Sequence, residues 1–243
     1  MRVLALSLFV AEAARLAAAP LAPAELETLL ALVVTGRPSE QTIVAQAEEA
    51  LQRIRQYPRE ADRAHLEASL EFLLGFGRMG LGSTDAAQTN FERAARLAER
   101  ANRLDPTSEG YRVLADSLSQ LLELRGTAYR VVNAGRARSA AERAVELDPS
   151  NPFAHVAAAS YYASAPSFAG GSPARAAAHL ETASRLTDDP HVVFFVAVWE
   201  AQLAESSGNR QAAADAIGRA HRVFPDNWWL EAVASRIRVD LPE

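Results

Sequence analysis

The chain has 243 residues, 49% of them apolar and 23% charged, a balance that provides for a packed core and excludes an intrinsically disordered chain. It has no cysteine, which excludes disulfides, thiolate metal centres and cysteine nucleophiles while leaving the compartment open. Its 30 acidic residues outnumber 25 basic ones, every one an arginine, and the net charge of −5 disfavours general binding to nucleic-acid phosphates.

The first 57 residues show helical periodicity without a clean repeat, with helices expected near 3–19, 23–35 and 40–57. Arg2 precedes an apolar run from Val3 to Ala11, followed by Ala17, Ala18 and Ala19. That is the pattern of a cleavable export signal within residues 1–19, although Glu12 and Arg15 interrupt it and a first packed helix is the alternative. The expected location is cytoplasmic, or periplasmic and exported if that segment is a signal. No other stretch approaches the roughly 20 apolar residues that span a bilayer.

From residue 58 onward, helices are expected near 60–80, 85–104, 108–133, 136–147, 151–165, 173–187, 190–206, 210–223 and 227–238, with 108–133 read as one long helix or two. Four of these stretches share a pattern at i, i+4, i+7 and i+10, recurring at intervals of about 40 residues. They are Ala94, Ala98, Ala101, Leu104; Ala137, Ala141, Ala144, Leu147; Ala176, Leu180, Ala183, Leu186; and Ala213, Ile217, Ala220, Val223. The spacing lines up one helical face. Small side chains there let a neighbouring helix approach closely, and the aliphatic residue is expected to fill the remaining gap. Pro106, Pro149 and Pro225 follow and stop the helix. Asn151-Pro152, Ser172-Pro173 and Asp189-Pro190 are side-chain caps followed by proline in the first turn, a helix-start signature. The last helix carries Arg236, Arg238, Asp240 and Glu243, the polar outer face of a terminal cap over 226–243.

These residues resemble the tetratricopeptide repeat (TPR), a helical hairpin. Trp199 to Pro225 follows its pattern, with Ala201 in the first helix, Gly208 in the turn and Ala213, Ile217 and Ala220 in the second. Leu74 to Ala94 does so too, with Gly82 in the turn. Asn151 to Leu186 fits with a longer loop. The resemblance implies an all-α fold: a superhelical stack of antiparallel helix pairs over 58–243, about four recognisable hairpins, behind the N-terminal helices of 1–57. A narrower resemblance lies in Ala159 to Pro166 and Gly170 to Leu180, which is similar to the TPR lipoprotein accompanying tripartite ATP-independent periplasmic (TRAP) transporters. It implies an exported accessory protein that docks a solute-binding protein. The chain departs from that family in having no cysteine to carry a lipid.

No chemistry-bearing motif stands beside the repeats. Gly75-Phe76-Gly77-Arg78-Met79-Gly80 is a literal GxGxxG, but it follows a helical stretch, not a strand. The five histidines share no helical-face spacing and none lies in HExxH, and no serine elbow is present, so no metal, no cofactor and no catalytic residue is expected. Arg93, Arg96, Arg100 and Arg103 form a stripe at helical spacing, which Glu92 and Glu99 are placed to neutralise into a salt-bridged outer face. The expected function is a non-catalytic scaffold that receives a protein or peptide in a concave groove lined by the first helix of each hairpin. The alternative is a TRAP-associated accessory protein that docks a solute-binding protein or holds a small ligand. The groove candidates are Arg125, Tyr129, His155, Tyr162 and Trp199, all placed on expected first helices.

Overall fold

The computed structural model describes residues 24–36 and 38–242, so the helix expected at 3–19 and the candidate export signal lie outside the described residues. Among those described, eleven α-helices follow one another: α1 (Ala24–Thr35), α2 (Glu40–Ile54), α3 (Glu60–Gly80), α4 (Thr84–Leu104), α5 (Ser108–Leu124), α6 (Gly126–Leu147), α7 (Pro152–Ser164), α8 (Pro173–Leu186), α9 (Pro190–Ser206), α10 (Arg210–Val223) and α11 (Trp228–Ile237). A 3-10 turn, Ser167–Ala169, sits between α7 and α8. The described residues contain no strand.

The capping signals act as expected. The side chains of Asn151, Ser172 and Asp189 each accept a backbone N–H from the first turn of α7, α8 and α9. Each satisfies a donor that would otherwise be orphaned. One boundary differs from the sequence reading. The stretch 108–133 is two helices that part at Arg125, and α6 begins at Gly126 instead of at 136. Gly126 adopts φ +74, which lets the chain reverse there. Nothing in the polar run after it stops the new helix before Leu147.

Each small-residue quartet buries its first three members. Ala94, Ala98 and Ala101 are fully buried, as are Ala137, Ala141 and Ala144, then Ala176, Leu180 and Ala183, then Ala213, Ile217 and Ala220. The fourth member is less enclosed than expected: Leu104 and Leu186 are exposed, whereas Val223 is partly buried against the core. Leu104, Leu147, Leu186 and Val223 are the final residues of their helices, where the packed stretch has ended.

Consecutive helices pack in pairs, α3 on α4, α5 on α6, α7 on α8 and α9 on α10. The first helices also contact one another in series, α1, α3, α5, α7, α9 and α11. They form an inner layer, with the second helices outside. The GxGxxG motif lies within α3, where its glycines are packing features: a Cβ on Gly75 would sit 2.6 Å from the Phe91 ring, and one on Gly80 would sit 2.5 Å from Trp228.

The contact at Gly80 joins α3 to α11. Trp228 belongs to α11, and its ring centroid lies 4.9 Å from that of Phe76 on α3. The Asn227 amide donates to the carbonyl of Val34 at the end of α1. Leu26, Leu29 and Val33 of α1 share one buried cluster with Phe194 of α9 and Leu230 and Val233 of α11. The inner layer therefore curves until its first and last helices meet.

Candidate functional site

Where the inner helices face one another they leave a pocket of about 180 Å³. This is room for on the order of ten water molecules or one small organic molecule. Its apolar wall comes from every inner helix. Leu30 of α1, Phe72 and Phe76 of α3, Phe153 of α7, and Phe195 and Trp199 of α9 all line it. Trp229 of α11 completes the wall, its ring 5.7 Å from both Phe195 and Trp199.

Helix α5 contributes most of the polar lining, and its Glu123 lies 3.9 Å from Arg130 of α6. Arg112 donates from Nε and Nη2 to the two carboxylate oxygens of Glu109 at 2.8 and 2.5 Å, and from Nη1 to Asp116 at 2.5 Å. The three side chains sit at i, i+3 and i+7, so one helical face presents them together. The Arg112 guanidinium carbon lies 5.9 Å from the ring centroids of both Phe72 and Phe153, within the range where aromatic faces attract a cation. Arg112 and Asp116 keep only 13% and 20% of their side-chain surface exposed, whereas Glu109 keeps 43%. Burial pushes the Asp116 carboxyl up to about 6, and the Glu109 charge adds to this while Arg112 opposes it. Burial also works against the charge on Arg112, but the two carboxylates more than offset it and hold its pKa above the ordinary value.

Of the five residues singled out from sequence, Trp199 lines this pocket and the other four lie elsewhere. Arg125 stands at the α5–α6 junction, its guanidinium 4.8 Å above the ring of Tyr129 and 3.3 Å from Glu92. Tyr129 is on α6, a second helix, which corrects its assignment to a first helix; the early start of α6 is the reason. His155 and Tyr162 are on α7 as expected, but both are buried in a cluster that ties α6, α7 and α8 together. The Tyr162 hydroxyl donates to Glu142 at 2.6 Å, Arg175 sits over its ring at 3.9 Å, and His179 stacks on it. Burial raises the Tyr162 pKa, and accepting that proton makes Glu142 a second cause. Nδ1 of His155 is 3.0 Å from Nδ1 of His179, whose pKa burial lowers, with His155 and Arg175 adding to the effect.

Sequence reasoning missed Glu109, Arg112 and Asp116. Their i, i+3, i+7 spacing on a helix whose other face is Val113, Leu114, Leu118 and Leu121 was a usable signal, because charges on a packed helix must be mutually paired or lie in a cavity. Among the described residues, no group of three or more His, Asp or Glu is placed to hold a metal ion, and no helix is long and apolar enough to cross a membrane.

Paired helices in series, an inner layer of first helices and glycine-assisted turns define a helical-repeat protein of the TPR type. A thermophilic TPR protein of Thermus thermophilus has a similar crystal structure, with a TM-score of 0.55, 18% identity, and 82% of this chain and 99% of that chain covered. At that identity the likeness establishes the fold alone. Residues 111–229 match the family described as the TRAP transporter T-component. That span runs from α5 to α11 and contains the Ala159–Leu180 stretch in which the resemblance was read. No curated protein matches the chain.

Proposed function

We propose that the chain is a non-catalytic accessory protein of a TRAP-type transport system, one that holds a small ligand in its inner pocket and docks a solute-binding protein. The pocket carries this reading. Its aromatic and aliphatic wall is interrupted by the Arg112 cluster and by a looser Glu123–Arg130 pair at 3.9 Å, a mix of apolar surface and a few polar groups that suits a site binding and orienting a small molecule. The ligand that suits it has a mostly apolar body and one polar group. That group would meet Arg112 by displacing Glu109, the most exposed of the three charged residues. The Arg112 cluster holds no paired nucleophile and base, which favours binding over reaction.

Capture of a peptide on the concave side is the second reading. An α-helix with its side chains is about 10–12 Å across. The meeting of α1 and α11 leaves the inner surface better suited to a small molecule, and burial of His155 and Tyr162 withdraws two of its candidate anchors.

Titration with the dye 1-anilinonaphthalene-8-sulfonate tests the pocket. One dye per chain is expected, with binding abolished in Ser69→Phe, which fills the cavity, and weakened severalfold in Trp199→Ala. Equal dye binding by all three proteins would sink the pocket reading. Titration of a purified TRAP solute-binding protein tests docking, and the absence of a saturable complex would remove that part alone.

A further inference from the structure

Helix α3 has a second lined face, turned away from the pocket. Between α2 and α4 it forms the floor of a groove of about 640 Å³. Val44 and Leu51 of α2, Leu74 of α3 and Leu97 of α4 give it a partly exposed apolar bed. The α4 wall is Arg93, Arg96, Arg100 and Arg103, the stripe visible in the sequence.

The stripe is neutralised only in part, and not by Glu92 and Glu99. Glu92 pairs with Arg125 at the α5–α6 junction, and Glu99 with Arg136 of α6. Both carboxylates point to the next hairpin, away from the groove. Arg93 reaches Glu71 at 2.8 Å and Arg100 reaches Glu60 at 2.5 Å, but Arg96 and Arg103 have no acidic partner among the described residues. Across the groove, Arg55 at the end of α2 likewise has no acidic partner among the described residues. Six arginines and three glutamates line the groove, and Glu40 and Glu60 at its edge pair with Arg78 and Arg100, which leaves a slight excess of positive charge on a chain whose net charge is −5. The glutamates lie on α2 and α3, so the excess is concentrated on the α4 wall.

We propose that this groove docks an amphipathic helix of a partner protein, with a row of Asp or Glu against the α4 arginines and an apolar row on the bed below. Charge complementarity selects the occupant. Four arginines at i, i+3, i+7 and i+10 run for about 15 Å along α4, which matches an acidic row on three turns of helix. The leucine and valine bed fits an apolar helix face. Glu48 and Glu67 on the opposite side disfavour a nucleic acid, whose charge is negative on all sides, and favour a partner that is acidic along one edge only. This inference does not depend on the pocket or its ligand.

The test is selection of a displayed library of 15-residue helical peptides against the full chain, followed by anisotropy titration of the enriched peptides. Enrichment of Asp or Glu at helical spacing beside an apolar row is expected. Arg96→Glu/Arg103→Glu should weaken binding at least tenfold, and affinity should fall as salt rises. Circular dichroism checks that the variant folds, which the lack of partners at both arginines favours. If it loses helix, Arg96→Ala/Arg103→Ala replaces it, with at least a threefold loss expected. Enriched peptides without acidic residues, or equal binding to the variants, overturn the proposal. Binding of single-stranded polyuridylate that the same variant abolishes also overturns it, in favour of a nucleic acid.

Discussion

One face of α3 lines the inner pocket and the other lines the groove, and the two treat charge in opposite ways. On the pocket side, Arg112 is closed between Glu109 and Asp116 and flanked by Phe72 and Phe153, so its charge is satisfied within the fold. On the groove side, Arg96 and Arg103 are exposed and have no acidic partner among the described residues. Buried charge must be paired, because desolvation is costly, whereas exposed charge can be left for something outside the chain. The pocket charges should therefore weigh on stability, and the groove charges on association.

The largest expected effect lies where α3 and α11 meet on the pocket side. Phe76 touches Trp228, Trp229 and Phe195, and Phe76→Ala should cost about 3–4 kcal/mol in urea unfolding. A cost below about 1 kcal/mol would mean that the junction of α3, α9 and α11 adds little. Arg112→Ala should follow with a loss of about 3 kcal/mol at pH 7, because it strands the largely buried Asp116 carboxylate. That loss should shrink at pH 5, where Asp116 without its cation takes up a proton. A penalty that is the same at both pH values would break the assignment of the Arg112 cluster as an internally paired unit.

A smaller effect comes from Asp116 in the unaltered protein. Its folded pKa, about 6, is above its ordinary value of 3.8, so the folded state binds the proton more tightly than the unfolded state does. Stability from this group is present at low pH and is lost as pH rises between those two values. Unfolding free energy should thus be greater at pH 5 than at pH 7, by roughly 1 kcal/mol, and Asp116→Asn should flatten that difference. The smallest effect belongs to the groove. Arg96→Ala and Arg103→Ala should each shift stability by less than about 0.5 kcal/mol. A larger destabilisation would show that these arginines serve the fold, and would erase the contrast between the two faces.

Several features were open to reading along the chain because they depend on neighbours a few residues apart. The alanine quartets, the Asx and Ser caps and the glycine turns at Gly82 and Gly208 are of this kind, and each lies where local geometry requires it. The break within 108–133 stayed open, and the next helix was placed to start at 136 instead of 126, because glycine inside a helical pattern is ambiguous between a tolerated residue and a turn. His155 and Tyr162 drew attention as polar-tipped side chains on a first helix. What buries them is Glu142 and His179, 20 and 24 residues away.

The sequence by itself determined that this protein is a series of α-helical pairs, where most helices start and stop, and which faces carry the small residues that let pairs nest. Those properties follow from hydrophobic periodicity and from backbone groups that caps must satisfy. Only the tertiary structure decided that α1 and α11 meet, that a pocket remains inside the inner layer, and that Glu92 and Glu99 turn from their own helix to the next hairpin. Such outcomes depend on small angles between successive pairs, accumulated along the stack until distant residues come within contact distance, and no spacing along the chain records that sum.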